Sequence, residues 1–249
     1  MAKSLTKTKT NKQEQQINQQ YQQTQAATRE QKFPVLAIIV SGGHTEFIKV
    51  SSFGQYERLG FTVDDAAGEA LDKFGRMVDL GYPAGALIEQ FAKLGNQNAY
   101  QFPLPMTTSG NANMSFSGLK TSARNLTEKM QTDCALVKQQ VYDLCASFQY
   151  AVFHAITYKL NKVLAEQQFC GVWLGGGVAS NVALRGAIRK TLKPYKLQLK
   201  VPYSKRLCSD NAAMIGIAAG FKLERGEIKT NVDISQVERK PRWEIDQIN

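Results

Sequence analysis

The sequence predicts an α/β fold: three antiparallel strands extended by parallel strands that are joined through crossover helices. Two observations predict it. The elements read β-β-β-α-β-α-β-α along the chain. The apolar period also changes, from strand-like alternation to helical spacing, after Asp64 and Asp65. At 249 residues, 43% hydrophobic and 21% charged, the chain has the make-up of a folded globular protein with a sizeable core.

Val35 to Val40 is a short apolar run ending at Ser41-Gly42-Gly43, a buried strand and a tight turn. His44 to Val50 alternates as a second strand, and Gln55 to Thr62 is a third. Asp64 and Asp65 offer an N-cap, and Ala67, Leu71, Phe74 and Val78 then recur at helical spacing until Gly81 and Pro83. Asp65, Glu69 and Asp72 form the polar face opposite. Residues 84–132 read as a less regular insertion, with a helix around Leu87 to Leu94. A loop follows, holding Pro103, Pro105 and Ser115 to Thr121. Val137, Val141, Leu144, Phe148, Val152 and Ala155 mark a long amphipathic helix. Val172 to Leu174 is a buried strand entering Gly175-Gly176-Gly177, and a helix opens near Ser180-Asn181. Leu197 to Val201 is the last strand, and a helix from Asp210 to about Leu223 closes the series. This is the order of one ribonuclease-H-like lobe of the actin/hexokinase/Hsp70 ATPase architecture, a mixed sheet with crossover helices. Such proteins normally set two lobes around a nucleotide, and one is expected here.

The formal charge is +10. Residues 1–32 are Lys/Thr- and then Gln-rich, with Glu14 and Glu30 their only acids, and are expected to be a disordered basic tail. Residues 33–249 form the folded domain. A basic balance favours an anionic partner such as nucleic acid, the plain alternative being a solvated lysine-rich surface. No apolar stretch approaches the ~18–20 residues that span a bilayer. No membrane association is expected. Polar residues follow the basic N-terminus where a secretory signal would be apolar. Cys134, Cys145, Cys170 and Cys208 show no close pairing and lie in apolar-periodic stretches, so reduced, buried thiols in a cytoplasmic protein are expected.

Ser41-Gly42-Gly43-His44-Thr45 is either an anion-cradling turn of bare backbone or an ordinary hairpin. In Gly175 to Asn181 a strand, a glycine run and a helix start coincide. That suits nucleotide binding at a helix N-terminus, with a structural glycine turn as the alternative. Asp210 is either an N-cap or a carboxylate for a metal or nucleotide. His44 sits in the Gly-rich turn, and His154 is expected on the surface or in the packing of the long helix.

Together the segments are specific. VSGGHTEF at 40–47, DDAAGEALDKFGRMVDLGYPAG at 64–85, FPLPM at 102–106 and SFSGLKTSARN at 115–125 occur in one order. DLCASFQ at 143–149, LGGGVASNVALR at 174–185 and CSDNAAMIG at 208–216 continue it. Over roughly residues 33–245 the chain resembles the tRNA N6-adenosine threonylcarbamoyltransferase family. The resemblance implies transfer of a threonylcarbamoyl group from threonylcarbamoyl-adenylate to N6 of adenosine 37 in tRNAs reading ANN codons. It implies that Ile39, Val40, Ser41, Gly42 and Gly43 line the acyl-adenylate. Asp72 would meet the ribose hydroxyls, with Gly85 giving the sugar room and Glu89 a neighbour. Asn181 would contact the adenosine, and Asp210 would ligate a divalent metal, iron or zinc. No catalytic residue beyond Asp210 is assigned. The family further implies a paralogous subunit, an ATPase partner and a separate adenylate-forming synthase.

Departures from the family's pattern accompany it. Family members begin with another lobe whose His-x-x-x-His helix completes the metal site. This chain has only His44 and His154, so a truncated member that holds metal weakly is expected. Ala84 replaces a usual second glycine and Met114 a usual Asp. A non-catalytic member that binds nucleotide or a partner is the alternative, and a sugar- or acetate-kinase-like phosphotransferase a more distant one.

Overall fold

Five strands pair in one sheet: β1 (Val35–Val40), β2 (Thr45–Ser52), β3 (Gln55–Phe61), β4 (Gly171–Gly175) and β5 (Leu199–Lys200). The computed structural model describes residues 31–132, 135–228 and 245. The sheet order is β3-β2-β1-β4-β5. β1, β2 and β3 pair antiparallel, whereas β4 runs parallel to β1, and β5 to β4. This is the mixed, ribonuclease-H-like sheet read from the sequence. In the β1–β4 register Ile39 lies opposite Gly175. The turns leaving both strands therefore emerge side by side at the strands' C-terminal ends, where open α/β sheets place their ligands.

Six α-helices accompany the sheet among the described residues: α1 (Ala67–Met77), α2 (Gly85–Ala92), α3 (Ser117–Gln131), α4 (Lys138–Glu166), α5 (Val182–Leu192) and α6 (Ala212–Glu224). Strand alternation decides what they cover. Leu36, Ile38 and Val40 are fully buried, while the intervening Ala37 and Ile39 are half-buried. The buried set joins Phe74 of α1, Leu119 of α3, Phe148 and Ile156 of α4 and Leu184 of α5 in one core. The Phe74 and Phe148 rings stack at 4.2 Å. Each such fully buried side chain contributes about 1.5–3 kcal/mol relative to exposure. No helix among the described residues is long and apolar enough to cross a membrane.

Several sequence readings are corrected. Ser117 to Thr121 is not loop but the start of the 15-residue α3. The reason is non-local. The Asp64 carboxylate accepts hydrogen bonds from Phe116 N (2.8 Å) and Ser117 N, and from the Ser115 and Ser117 hydroxyls. Asp64 thus caps α3 and not the helix that follows it in sequence. The residue before α1 is Ala66, with no side-chain cap. Thr45 Oγ1 takes the Ala67 N–H at 2.9 Å, and Ser41 O takes the Gly68 N–H at 3.1 Å. Asp65 joins α1 to α3, accepting from Lys73 and from Lys120 at 2.7 Å each. The final helix is capped by Asn211, whose Oδ1 accepts from Met214 N, and not by Asp210. The last strand has two residues, not five. Cys145 and Cys208 are buried but Cys170 is exposed, and none of the three is in a disulfide. Burial pushes the Cys145 thiol up to about 12. Cys134 and the tail up to residue 30 lie outside the described residues.

Candidate functional site

The turn after β1 is held by its own serine. Ser41 Oγ accepts from Gly43 N (3.2 Å) and His44 N (2.9 Å), and Ser41 N donates to His44 O. Gly42 N is left without an acceptor among the described residues. The turn after β4 becomes a 3-10 helix, Gly177–Ser180. Gly176, which precedes it, has φ +93°, and a Cβ there would lie 2.3 Å from Val40 O, so no other residue fits without displacing β1. As at any helix start, the Gly177 and Val178 amides have no acceptor among the described residues.

The start of α5 is already occupied by protein. Asn181 Oδ1 accepts from Ala183 N (2.9 Å) and Leu184 N (3.2 Å), and Glu89 Oε1 accepts from Val182 N at 2.9 Å. Gln149 on α4 fixes the Asn181 amide by accepting from its Nδ2 at 2.8 Å. The N–H groups left open near this turn are therefore those of the 3-10 helix and not those of α5.

Asp72, on α1, does the same for α2. Its Oδ1 accepts from Ala84 N (2.8 Å) and Gly85 N (3.2 Å), while Oδ2 makes no hydrogen bond among the described residues. Gly85 itself opens to free space, since nothing lies within 4 Å of a Cβ built there; the same holds at Gly42.

These pieces surround one cleft of about 510 Å³. Gly42, Asp72, Gly85, Glu89 and Asn181, all expected from the sequence, line it together. Ile39, Val40, Ser41 and Gly43 do not line it: Val40 is buried in the core, Ile39 sits half-buried in β1, and Ser41 and Gly43 shape the turn. Ser180 and Ser209, which lie within motifs read from the sequence but were not named as site residues, also line it, as does Lys205, which the sequence did not single out. Lys205 is the single Lys or Arg in that lining and makes no ion pair among the described residues. The cleft thus offers two carboxylates, one ammonium and a set of bare backbone amides. That combination can hold a polar ligand with hydroxyls at one part and an anionic group at another.

Asp210 is exposed and next to Ser209, but does not line the cleft. No group of three or more His, Cys, Asp or Glu able to hold a metal ion exists among the described residues. A lone carboxylate is a poor match for iron or zinc, and these residues do not fit a metal site of their own. His44 is exposed in its turn, and His154 is exposed on α4, its ring stacked on Tyr150.

Comparison with known proteins follows the same line. The sequence profile of the tRNA N6-adenosine threonylcarbamoyltransferase family matches residues 15–217. A protein of that name from Trichlorobacter lovleyi is 39% identical over 216 residues, covering 87% of this chain and 61% of the relative. Those from Bradyrhizobium diazoefficiens and Vesicomyosocius okutanii are 40% and 37% identical, covering 86% and 88% of this chain and 59% and 61% of theirs. The chain thus spans about three fifths of the length of these curated relatives. A solved structure, the activator of the 2-hydroxyisocaproyl-CoA dehydratase from Clostridium difficile, is similar with a TM-score of 0.44. Its identity is 14%, over 82% of this chain and 66% of that one.

Proposed function

The chain belongs to the tRNA N6-adenosine threonylcarbamoyltransferase family, and from that premise we propose that it serves threonylcarbamoyl transfer. The donor is threonylcarbamoyl-adenylate and the acceptor N6 of adenosine 37 in tRNAs reading ANN codons. The N6 amine attacks the carbamoyl carbon and a C–N bond forms. The C–O bond to the phosphate breaks, AMP leaves with that electron pair, and N6 gives up a proton. The observation that carries this reading is the convergence of Gly42, Asp72, Gly85, Glu89 and Asn181 on one cleft.

Each residue has a part. Asp72 keeps Oδ2 for the ribose hydroxyls, and Gly85 leaves the sugar its space. The amides of Gly42, Gly177 and Val178 meet oxygens on which negative charge develops, in a geometry that needs no reorganisation. Lys205 balances the phosphate of the departing AMP. Ile39, Val40, Ser41 and Gly43 hold the first turn in shape. Asn181 acts by fixing the second, its amide being engaged with α5 and Gln149. Asp210 would supply one ligand to a divalent metal, iron or zinc, only where another polypeptide completed the site, and no step is routed through that ion. Residues 33–249 form the transferase-like domain, the tail before them a separate basic segment. A paralogous subunit and an ATPase are its partners, in the cytoplasm.

The test is to incubate the chain with threonylcarbamoyl-adenylate and unmodified tRNA, alone and with those two partners, and to analyse the nucleosides by mass spectrometry. Threonylcarbamoyladenosine lost in the Asp72→Asn variant is the expected result. No product in any combination, although the adenylate binds, overturns the transfer reading.

A further inference from the structure

Between Glu166 and Asp210 the chain holds eight Lys and Arg residues, Arg185 to Arg206, and no Asp or Glu. The structure gathers this run on α5 and the segment after it. Arg189, Lys190, Lys193, Lys196, Lys205 and Arg206 are all exposed, and none makes an ion pair among the described residues. One end of the run is Lys205 in the cleft, and another part faces a second groove. That groove, about 450 Å³, lies between α2, α4 and α5 and is lined by Lys93, Lys190, Gln97, Tyr150 and His154 among others. Glu89 lines both the groove and the cleft, so the two share a wall. Beyond Tyr150 and His154 a smaller hollow of about 280 Å³ continues, lined by Asn98 and Gln101. The Tyr150 and His154 rings stack at 5.6 Å and stand in solvent, Tyr150 being 45% exposed.

We propose that α5, the basic segment after it and the Tyr150–His154 groove form the surface that seats the RNA substrate beside the cleft. The unpaired cations take the phosphodiester backbone, and the aromatic pair and amide side chains take unstacked loop bases. This rests on the transferase reading for the identity of the RNA. Three features favour RNA over another polyanion. Lysines alone would serve any anionic surface, but exposed stacked rings flanked by amides suit single-stranded bases. Cations stand at both places, Lys190 and Lys93 in the groove and Lys205 in the cleft in which a base would be modified. The segment from 167 to 209 also carries no Asp or Glu of its own, which leaves Glu89 as the carboxylate shared with the cleft.

The experiment measures binding of labelled, unmodified tRNA reading an ANN codon to the full chain, by fluorescence anisotropy at several salt concentrations. The variants are a triple, Lys190→Gln with Lys193→Gln and Lys196→Gln, and a double, Tyr150→Ala with His154→Ala. Thermal melting and AMP binding confirm that both fold. The triple variant is expected to bind tRNA about tenfold more weakly or worse. Its plot of log affinity against log salt should flatten by about two to three, since each phosphate contact contributes roughly 0.9 to that slope. The double variant should lose affinity with the slope unchanged. Parental affinity and slope in the triple variant overturn the proposal. So does binding to phosphatidylserine vesicles that the same lysines govern while tRNA does not bind. Lysine-dependent tRNA binding without product formation leaves this surface in place and removes the transferase reading. Full product formation by the triple variant at parental tRNA affinity does the reverse.

Discussion

Glu89 and Val182, 93 positions apart, meet through a 2.9 Å hydrogen bond from the Val182 N–H to the Glu89 carboxylate. The bond spans the cleft wall, tying α2 to the first turn of α5, and places a negative charge at a helix N-terminus, where it is stabilising. Glu89→Ala is expected to cost about 1 kcal/mol of stability and to weaken nucleotide binding. Glu89→Gln, which keeps an acceptor, should recover most of both. Melting curves and AMP titrations of the two variants check this. Equal losses in both would mean that the charge itself, and not the hydrogen bond, is what the site uses.

The two oxygens of Asp72 divide the work. Oδ1 is spent on Ala84 N and Gly85 N, while Oδ2 is open to the cleft. Asp72→Asn keeps the cap and turns the open acceptor into a donor. Adenosine affinity should fall about tenfold, the price of one lost charge-assisted hydrogen bond, with melting nearly unchanged. Asp72→Ala should lose both affinity and stability.

Lys205 separates phosphate from nucleoside. Lys205→Ala is expected to weaken AMP binding several-fold at low salt and to leave adenosine binding as it was, measured side by side by calorimetry. The effect should shrink as salt rises, because the ammonium is exposed and screened. An equal loss for both ligands would remove the phosphate role.

What the sequence discloses and what it hides divide by distance along the chain. β1, α1 and β4 follow from local apolar patterns, and Asn181 as a cap is adjacent to the helix that it caps. α3 was hidden because its cap, Asp64, lies 52 residues from Phe116. Thr45 as the cap of α1, 22 residues away, was hidden for the same reason. The site follows the same division. Its glycine turns were visible singly, but only the parallel register of Ile39 with Gly175 sets them side by side. Lys205 was one lysine among many, and its signal was the neighbouring absence of acids.

Asp64 gives the fold an acid-sensitive clasp. Burial alone would raise its pKa, but the N–H and hydroxyl donors of Ser115, Phe116 and Ser117 outweigh burial and hold it below the ordinary 3.8. A folded-state value below the unfolded one means that the contribution is complete above 3.8 and is lost as the pH falls through the lower, folded value. Asp64→Asn should therefore melt earlier at neutral pH, by about 1–2 kcal/mol for a lost charged cap. The difference from the parent should close as the pH is lowered below that range. A gap that persists once the Asp64 carboxyl of the folded protein has been protonated would show that the carboxylate's charge is not what caps α3.

Two glycines of the cleft predict opposite behaviour on gaining a methyl group. At Gly176 a side chain meets the backbone of Val40 and a positive φ together. Gly176→Ala should cost about 2 kcal/mol or more and loosen the β1–β4 junction. At Gly85 nothing stands within 4 Å of the new Cβ, and the residue opens a helix in which alanine is the better former. Gly85→Ala should leave the fold as stable as before or about 0.5–1 kcal/mol more so. Its methyl group nevertheless occupies the space reserved for the sugar. Loss of adenosine affinity with an unchanged or higher melting temperature is the expected signature, and tight adenosine binding by Gly85→Ala would place the ribose elsewhere in the cleft.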